Sequence, residues 1–463
     1  MKLLTWKSLS ARQRLAALQR PAQSSREQLS ATVAEIVATV RREGDDALRI
    51  YTAKFDGADL RSLKVSPAEF AAAEKVLSAA EKAALKTAYR NLRRFHLAQR
   101  PAPIRVETMP GIVCEKVSRP IERVGLYVPG GSAPLFSTAL MLGVPSQIAD
   151  NSVRVLCTPA GRDGKLSPWI LFAAQLCGIT DIFKVGGAQA IAAMAFGTAS
   201  IPKCDKLFGP GNSYVTEAKL QISREAAGAA IDLPAGPSEV MVIADNSAEP
   251  AFIAADLLSQ AEHGPDSQVV LVTFSEKLAA RVQDEVEKQL AALPRGAIAT
   301  RALANSRVIL AASSDEAVEI ANRYAPEHLI LQLADPRALL PRITTSGSVF
   351  LGAWTPESLG DYASGTNHVL PTYGWARACS GLGLTDFLRT MTVQTASPRG
   401  LKKLGPVVER LALAENLTAH QRAVRVRLDR MSLGRAGPLG PPRSRKNARA
   451  QSGGPSGPAL PSP

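Results

Sequence analysis

Four of the five histidines in this chain stand beside carboxylates or carboxamides. They are His263 in Gln260-Ala-Glu-His263, His328 in Pro326-Glu327-His328, His368 at the end of Asp361-Tyr-Ala-Ser-Gly-Thr-Asn-His368, and His420 five residues after Glu415. Histidine has the side-chain pKa nearest neutrality, and its neutral ring binds metals well. A chain so sparing with histidine, yet placing it this way, points to one polar reaction centre that holds a metal. Four unrelated surface or core histidines are the alternative.

Each cluster has its own logic. Gln260 and His263 are three apart in a predicted helix, which puts them on one face, with Asp256 on the same arc. A glutamine oxygen and an imidazole nitrogen can both ligate a borderline cation, although glutamine is an uncommon ligand. Otherwise His263 caps the helix end before Gly264-Pro265. Glu327-His328 lies between a helix stop and a strand, in a loop expected at the carboxyl edge of parallel strands, where α/β proteins place ligands. A carboxylate there can activate water and a neutral imidazole can take a proton from an alcohol. Otherwise Glu327 pairs with a surface arginine and His328 is satisfied in the sheet. The stretch Ser358–His368 is dense in Gly and short polar residues and reads as a turn-rich loop, offering Asp361 as a hard ligand. Ser238, in Pro-Ala-Gly-Pro-Ser238-Glu, precedes a strand and can hydrogen-bond a substrate. Three Gly-rich turns also occur: Val128-Pro-Gly-Gly131, Val185-Gly-Gly-Ala-Gln189 and Phe208-Gly-Pro-Gly-Asn212. The last two precede helices, whose free N–H groups can face phosphate, but neither a G-x-G-x-x-G nor a P-loop pattern is present, and turn-making explains each.

The elements that must position these residues are α/β. From Val113 onward, short β-branched runs alternate with helical ones; the expected strands are 124–128, 153–157, 182–185, 240–244, 269–273, 308–311, 329–333 and 349–351. Expected helices include 168–177, 188–196, 213–226, 250–262, 276–293 and 314–324. Such alternation predicts parallel sheets with helices on both faces, and runs such as Gln268-Val-Val-Leu-Val-Thr predict burial on both sides. Before them, residues 1–25 read as an amphipathic helical arm, 25–51 as a helix ending near Gly57, and the capping box Ser66-Pro-Ala-Glu69 as the start of one helix running to about Gln99. Residues 383–430 read as helix and loop.

Composition narrows the classes. The chain has 463 residues, 46% of them hydrophobic but only 5% aromatic, which suits a large Ala/Leu/Val-rich α/β protein. The net charge of +14 owes five of its Lys/Arg, with no acid, to residues 431–463, where Pro and Gly make up 13 of 33 positions. That tail reads as disordered, and no nucleic-acid signature accompanies it. Five widely spaced cysteines, Cys114, Cys157, Cys177, Cys204 and Cys379, form neither a disulfide framework nor a CxxC motif and suit a reducing cytoplasm. No secretory signal or membrane-length apolar run is read, so neither a membrane nor a nucleic acid is an expected partner.

Taken together, the motifs resemble histidinol dehydrogenase over roughly residues 2–430. The resemblance rests on Gly-Leu-Tyr127-Val-Pro-Gly-Gly, Val-Gly-Gly-Ala-Gln189, Phe-Gly-Pro-Gly-Asn212, Ala-Gly-Pro-Ser238-Glu-Val, Leu-Leu-Ser-Gln260-Ala-Glu-His263-Gly-Pro-Asp-Ser-Gln, Pro-Glu327-His328-Leu, Gly-Asp361-Tyr-Ala-Ser-Gly-Thr-Asn-His368 and Glu415-Asn-Leu-Thr-Ala-His420. It implies one Zn²⁺ per subunit held by Gln260, His263, Asp361 and His420. It implies NAD contacts at Tyr127, Gln189 and Asn212, and substrate contacts at Ser238, His328, Tyr362, His368 and Glu415, with the metal ligands also facing substrate. It implies a homodimer with an exchanged C-terminal region, so that Glu415 and His420 serve the neighbouring subunit. Glu327 and His328 become the acid–base pair that takes L-histidinol through L-histidinaldehyde to L-histidine with two NAD⁺, in the last two steps of histidine biosynthesis.

The implied fold is two incomplete Rossmann-like domains. The first is assembled from 26–126 and 239–382 and the second from 127–238. A helical arm, 1–25, packs with the C-terminal region, a helical dimerisation region spans 383–430, and the basic tail is 431–463. The tail from about Asp429 departs from the family's ending. Competing readings are a zinc hydrolase or deaminase with Glu327 as base, a non-catalytic relative, and a thiohemiacetal route through Cys114 or Cys157; no setting that lowers either thiol's pKa is evident in the sequence.

Overall fold

The computed structural model describes residues 1–21, 26–130, 135–234 and 236–432. In chain order its strands are β1 (Lys2–Thr5), β2 (Ile104–Met109), β3 (Ile112–Pro120), β4 (Arg123–Tyr127), β5 (Val153–Cys157), β6 (Asp181–Phe183), β7 (Lys206–Phe208), β8 (Ala230–Ile231), β9 (Glu239–Ala244), β10 (Gln268–Thr273), β11 (Arg307–Leu310), β12 (His328–Gln332), β13 (Ser348–Leu351) and β14 (Leu388–Ala396). The chain divides into two units, Met1–Ala102 with Ser118–Thr390, and Pro103–Val117 with Met391 onward.

The first unit holds two parallel sheets, ordered β1-β11-β10-β9-β12-β13 and β6-β5-β4-β7-β8. Both wind alike. Three strands step outward in one direction, β9-β10-β11 or β4-β5-β6, and the chain then returns to lay the next strand on the other side of the first. Each sheet therefore has a switch point, β9/β12 in one and β4/β7 in the other, where successive connections leave to opposite sides and open a crevice. This is the expected pair of Rossmann-like sheets.

The two-residue period of a strand explains the larger sheet's layers. Val240 and Val242 of β9, Val269 and Leu271 of β10 and Ile330 of β12 join one core with Ile253, Leu257 and Val282. Their neighbours Met241, Ile243, Val270, Val272, Leu329 and Leu331 join the opposite core with Trp6, Ile320 and Tyr324. With both faces covered, polar side chains can gather only at the strand ends.

Several expectations are corrected. Residues 26–97 pack on the smaller sheet, not with 239–382: Val33, Val37, Leu48, Leu85 and Leu92 share one core with Val124, Leu126, Leu156 and Ile191. The arm 1–25 is not simply helical. Lys2–Thr5 adds a parallel strand beside β11, and among the arm's described residues only Ala11–Ala17 is α-helix, opened by a capping box between Ser10 and Gln13. The Leu3-Leu4 pair fits either period, and pairing with β11 satisfies the backbone groups that decide it. The helix expected over 25–51 is two, Arg26–Glu43 and Asp45–Asp56, broken at Gly44, where φ is +56°. The helix expected to run from 67 to 99 is also two, Pro67–Val76 and Ala79–Leu97, because a second capping box, Ser78 with Glu81, restarts it. The loop expected at 358–368 begins instead as a helix, Glu357–Tyr362.

In the second unit, β2 and β3 form an antiparallel hairpin with β14 beside β3. The strand β14 was not expected in the stretch read as helix and loop. Helices Pro398–Ala414 and Thr418–Ser432 are joined by Glu409, which pairs with Arg425 at 2.6 Å and accepts from Gln421 at 2.9 Å. The tail expected from 431 lies outside the described residues after Ser432, which ends that last helix. Among the described residues, no helix is long and apolar enough to cross a membrane.

Asp56, the last residue of its helix, keeps one carboxylate oxygen buried without a hydrogen-bond partner, and burial pushes its pKa up from 3.8 to about 6. The folded state then binds this proton more tightly than the unfolded chain does, and stability falls as pH rises through the interval between those two values. The Asp56→Asn variant should therefore melt above the wild type near neutral pH and converge with it near pH ~4. Thermal melts across that range check this, and a gap that does not vary with pH contradicts it.

Candidate active site

Two cavities adjoin the two switch points. The first, about 830 Å³, opens at the carboxyl ends of the smaller sheet and is lined by Tyr127, Gly187, Gln189 and Asn212 together with Asp56, Arg162 and Lys165. Tyr127 ends β4, and its hydroxyl accepts from the Gly187 amide at 3.0 Å. Burial raises that hydroxyl's pKa far above the usual range, so it stays a neutral phenol. Gly187 turns the chain into its helix with φ +65°, and Gln189 follows, 1% exposed. Asn212 caps helix Ser213–Ile222, its Oδ1 accepting from Val215 at 3.1 Å. Gly209 approaches β4 so closely, at φ +120°, that a Cβ there would collide with the Tyr127 carbonyl oxygen. Its loop is anchored by the buried Lys219–Asp232 ion pair, through Lys219 to the Gly209 carbonyl and Asp232 to the Gly209 amide.

The second cavity, about 410 Å³, is lined by Ser238, Gln260, His263, Glu327, His328, Asp361, Tyr362 and His368, and again by Asn212. The sequence-predicted polar residues of the first unit thus converge here. Its place in the sheet differs from expectation. Glu327 directly precedes β12, and Ser238 directly precedes β9, so the cluster sits at the amino edge of the larger sheet rather than the carboxyl edge.

His328 is the centre of the cluster. Its Nδ1 lies 3.2 Å from the Glu239 carbonyl, 3.6 Å from Glu327 Oε2 and 3.8 Å from Glu357 Oε1. A carbonyl only accepts, so Nδ1 carries the hydrogen and Nε2 is the working nitrogen. That Nε2 is buried without a hydrogen-bond partner, 3.6 Å from Asp361 Oδ1. Burial works against the imidazolium, but Glu357, Glu327 and Asp361 outweigh it and raise the ring's proton affinity. Glu327 is itself pushed up to about 8 by burial, partly offset by His328 and by the Glu239 amide, which donates to it at 2.9 Å.

Asp361 stays below its ordinary range because His328, His368 and His263 outweigh its burial. His368 is fixed at both nitrogens, Nδ1 to the Asp361 carbonyl at 2.8 Å and Nε2 to Thr138 at 3.2 Å, and burial lowers its pKa. His263, lowered chiefly by burial, turns into the cavity from just beyond the helix Pro250–Ala261. Asp256, on the same arc, is pushed up to about 6 by burial and accepts from Gln332 at 3.3 Å. It is a bracing group at the base of the site.

The groups suited to a cation are distinct. Gln260 is fully buried, and neither atom of its amide has a hydrogen-bond partner. His328, Glu357 and Asp361 each bring a ligating atom within 4.8 Å of the others. A buried carboxamide with no partner, beside imidazoles and an excess of carboxylates, is the donor set that a divalent cation completes. Glu415 and His420 are exposed residues of the second unit. Glu415 ends helix Pro398–Ala414, and His420 lies in the first turns of the next.

Sequence reading passed over Glu357, Glu239 and Arg20. Glu357 had a usable signal. Pro356 followed by an acid marks a helix start, and a helix places Glu357 and Asp361, four apart, on one face. Cys157 is fully buried with its thiol pKa raised by that burial, which disfavours a thiolate there.

The histidinol dehydrogenase family model matches residues 18–428. A histidinol dehydrogenase of Vibrio parahaemolyticus is 56% identical over 435 residues, spanning 94% of this chain and all of that one. One from Escherichia coli K12 is 55% identical over 427 residues, 92% of this chain and 98% of that one. The crystal structure of histidinol dehydrogenase from Elizabethkingia anophelis matches with a TM-score of 0.90 at 47% identity, covering 93% of this chain and 99% of that chain. The chain belongs to the histidinol dehydrogenase family of NAD-dependent oxidoreductases.

Proposed function

We propose that this chain oxidises L-histidinol to L-histidinaldehyde and then to L-histidine, consuming two NAD⁺ in turn. The observation that carries this reading is that Asn212 lines both cavities. A cofactor seated beside Tyr127 and Gln189 therefore abuts the chamber of Glu327 and His328.

NAD⁺ supplies the hydride acceptor in each half-reaction. His328 takes the alcohol proton at Nε2 while the C–H hydride leaves, giving the aldehyde. Its Nδ1–H, held on the Glu239 carbonyl, keeps Nε2 aimed into the cavity. Glu327 then accepts a proton from the water that adds to the aldehyde while protonated His328 returns its proton to the aldehyde oxygen, and the neutral ring takes the hydrate's proton as the second hydride departs. Both carboxylate and ring are fixed before substrate arrives, which is where the rate gain of positioning comes from. Ser238, Tyr362 and His368 line the chamber for the substrate's polar groups. Glu415 adds a further contact from the neighbouring subunit.

The residues fit a metal. Gln260, His263 and Asp361 would hold it from this chain, and His420 of the partner subunit would complete the set. Bound there, Zn²⁺ would supply a Lewis acid that orients the substrate. In this reading the working form is a homodimer whose sites are shared, and metal and dimer stabilise each other.

Two measurements test this. Purified protein with Zn²⁺, NAD⁺ and L-histidinol should show growing NADH absorbance, and Glu327→Gln should lower kcat by roughly 10²–10⁴-fold. Equal rates for the two proteins contradict the role of Glu327, whereas no NADH from either contradicts the substrate. Chelator treatment should abolish turnover, with Zn²⁺ restoring it. Asp361→Asn should reduce bound metal well below roughly one ion per subunit by elemental analysis, and full metal content in that variant contradicts the ligand assignment.

A further inference from the structure

Arg20 lies far from the chemistry in sequence, yet it is tied to Glu239 at the base of the site. Its Nε donates to Glu239 Oε2 at 2.6 Å and its Nη2 to Oε1 at 2.7 Å, a two-pronged pair whose side chains are 12% and 1% exposed. The guanidinium also lies 4.0 Å over the Tyr324 ring and donates to the Tyr324 carbonyl at 2.8 Å. The Tyr324 hydroxyl is shared between Glu239, at 3.3 Å, and Gln268, at 2.8 Å.

Glu239 in turn holds both groups of the acid–base pair. Its carboxylate accepts from the Glu327 amide at 3.3 Å, its own amide donates to the Glu327 carboxylate at 2.9 Å, and its carbonyl accepts from His328 Nδ1 at 3.2 Å. Glu239 begins β9 and His328 begins β12, so these bonds stitch the two strands together at the switch point.

We propose that Arg20 is a positioning residue for the reaction: without touching substrate, it fixes Glu239 and thereby sets the carboxylate of Glu327 and the orientation of His328. This rests on the reading that those two residues act on substrate. Removing the guanidinium leaves Glu239 an uncompensated buried carboxylate beside that of Glu327. Glu239 must then move, which alters what it offers to Glu327 and His328.

The test is a double-mutant cycle on the metal-loaded enzyme with L-histidinol and NAD⁺, comparing wild type, Arg20→Met, Glu327→Gln and the combination. Arg20→Met should lower kcat by roughly 30- to 100-fold while KM for NAD⁺ moves little, the split expected of a lost transition-state interaction. The combined variant should lose well under the product of the two single losses, because Arg20 acts in part through Glu327. Arg20→Lys keeps the charge but not the fork, so its kcat should fall in between; the cycle is run with it if the methionine variant does not fold. Losses that multiply in the combined variant, or wild-type kcat in both Arg20 variants, overturn the proposal. Full turnover in Glu327→Gln overturns the underlying reading instead, and is told apart because that variant leaves Arg20 untouched.

Discussion

The structure depends on how a sheet with both faces covered tolerates carboxylates at its edge. Glu239 opens a strand of six buried residues. A carboxylate in that position is expensive unless it is paired and hydrogen-bonded. Arg20 and Tyr324 meet that demand from outside the sheet, one donating from two nitrogens and stacking on the other's ring. The same demand is left unmet at Glu357, which is 1% exposed with neither oxygen hydrogen-bonded, and is met only in part at Glu327, which is 5% exposed and accepts from the Glu239 amide. The edge is thus divided between a carboxylate neutralised by the protein and others left for something the protein binds. Perturbed, under-satisfied ionisable groups of this kind collect where function requires them.

The shared winding of the two sheets explains why these groups can meet a cofactor. Each switch point opens a crevice, but the chain uses opposite edges. The smaller sheet offers its carboxyl ends, where Gly187 and Asn212 begin helices whose positive dipole ends favour an anionic ligand. The larger sheet offers its amino ends, where helix Pro250–Ala261 finishes and delivers Gln260 and His263. Helix starts, with their partial positive charge, face one cavity, and side-chain donors face the other. Asn212 belongs to both, so the division of labour follows from the direction in which each sheet is entered.

Much of this was legible in the chain. The eight expected strands of the parallel sheets lie within a residue or two of those observed, because a fully buried parallel strand writes itself as a continuous apolar run. Strands β7 and β8 were missed because three- and two-residue segments leave no period to detect. Residues 26–97 were assigned to the wrong sheet because an amphipathic helix specifies that it has a partner, not which one. Of the first unit's site residues, Gln260 and His263 were read from helical spacing and Ser238, Glu327, His328, Asp361 and His368 from polar types at loop positions, while Tyr127, Gln189, Asn212 and Tyr362 came with the family resemblance. What escaped was Glu357, hidden in a Gly-rich stretch that looked too irregular for a helix, and Arg20 with Glu239, separated by 219 positions. An ion pair of that span has no local signature.

The choice of a carboxamide at position 260 follows from the same charge balance. Glu327 and Glu357 already crowd Nδ1 of His328 and Asp361 its Nε2, and Asp256 stands on the same helix as Gln260. A further carboxylate would raise the repulsion among them and push one or more toward the protonated form, which ligates poorly. An amide oxygen offers a hard donor at no cost in charge. Because Gln260 is buried with both amide atoms unpartnered, its place is not explained by a hydrogen bond among the described residues. In the proposed site, a neutral donor is what would let three carboxylates and a cation share one small volume while His328 keeps a nitrogen free.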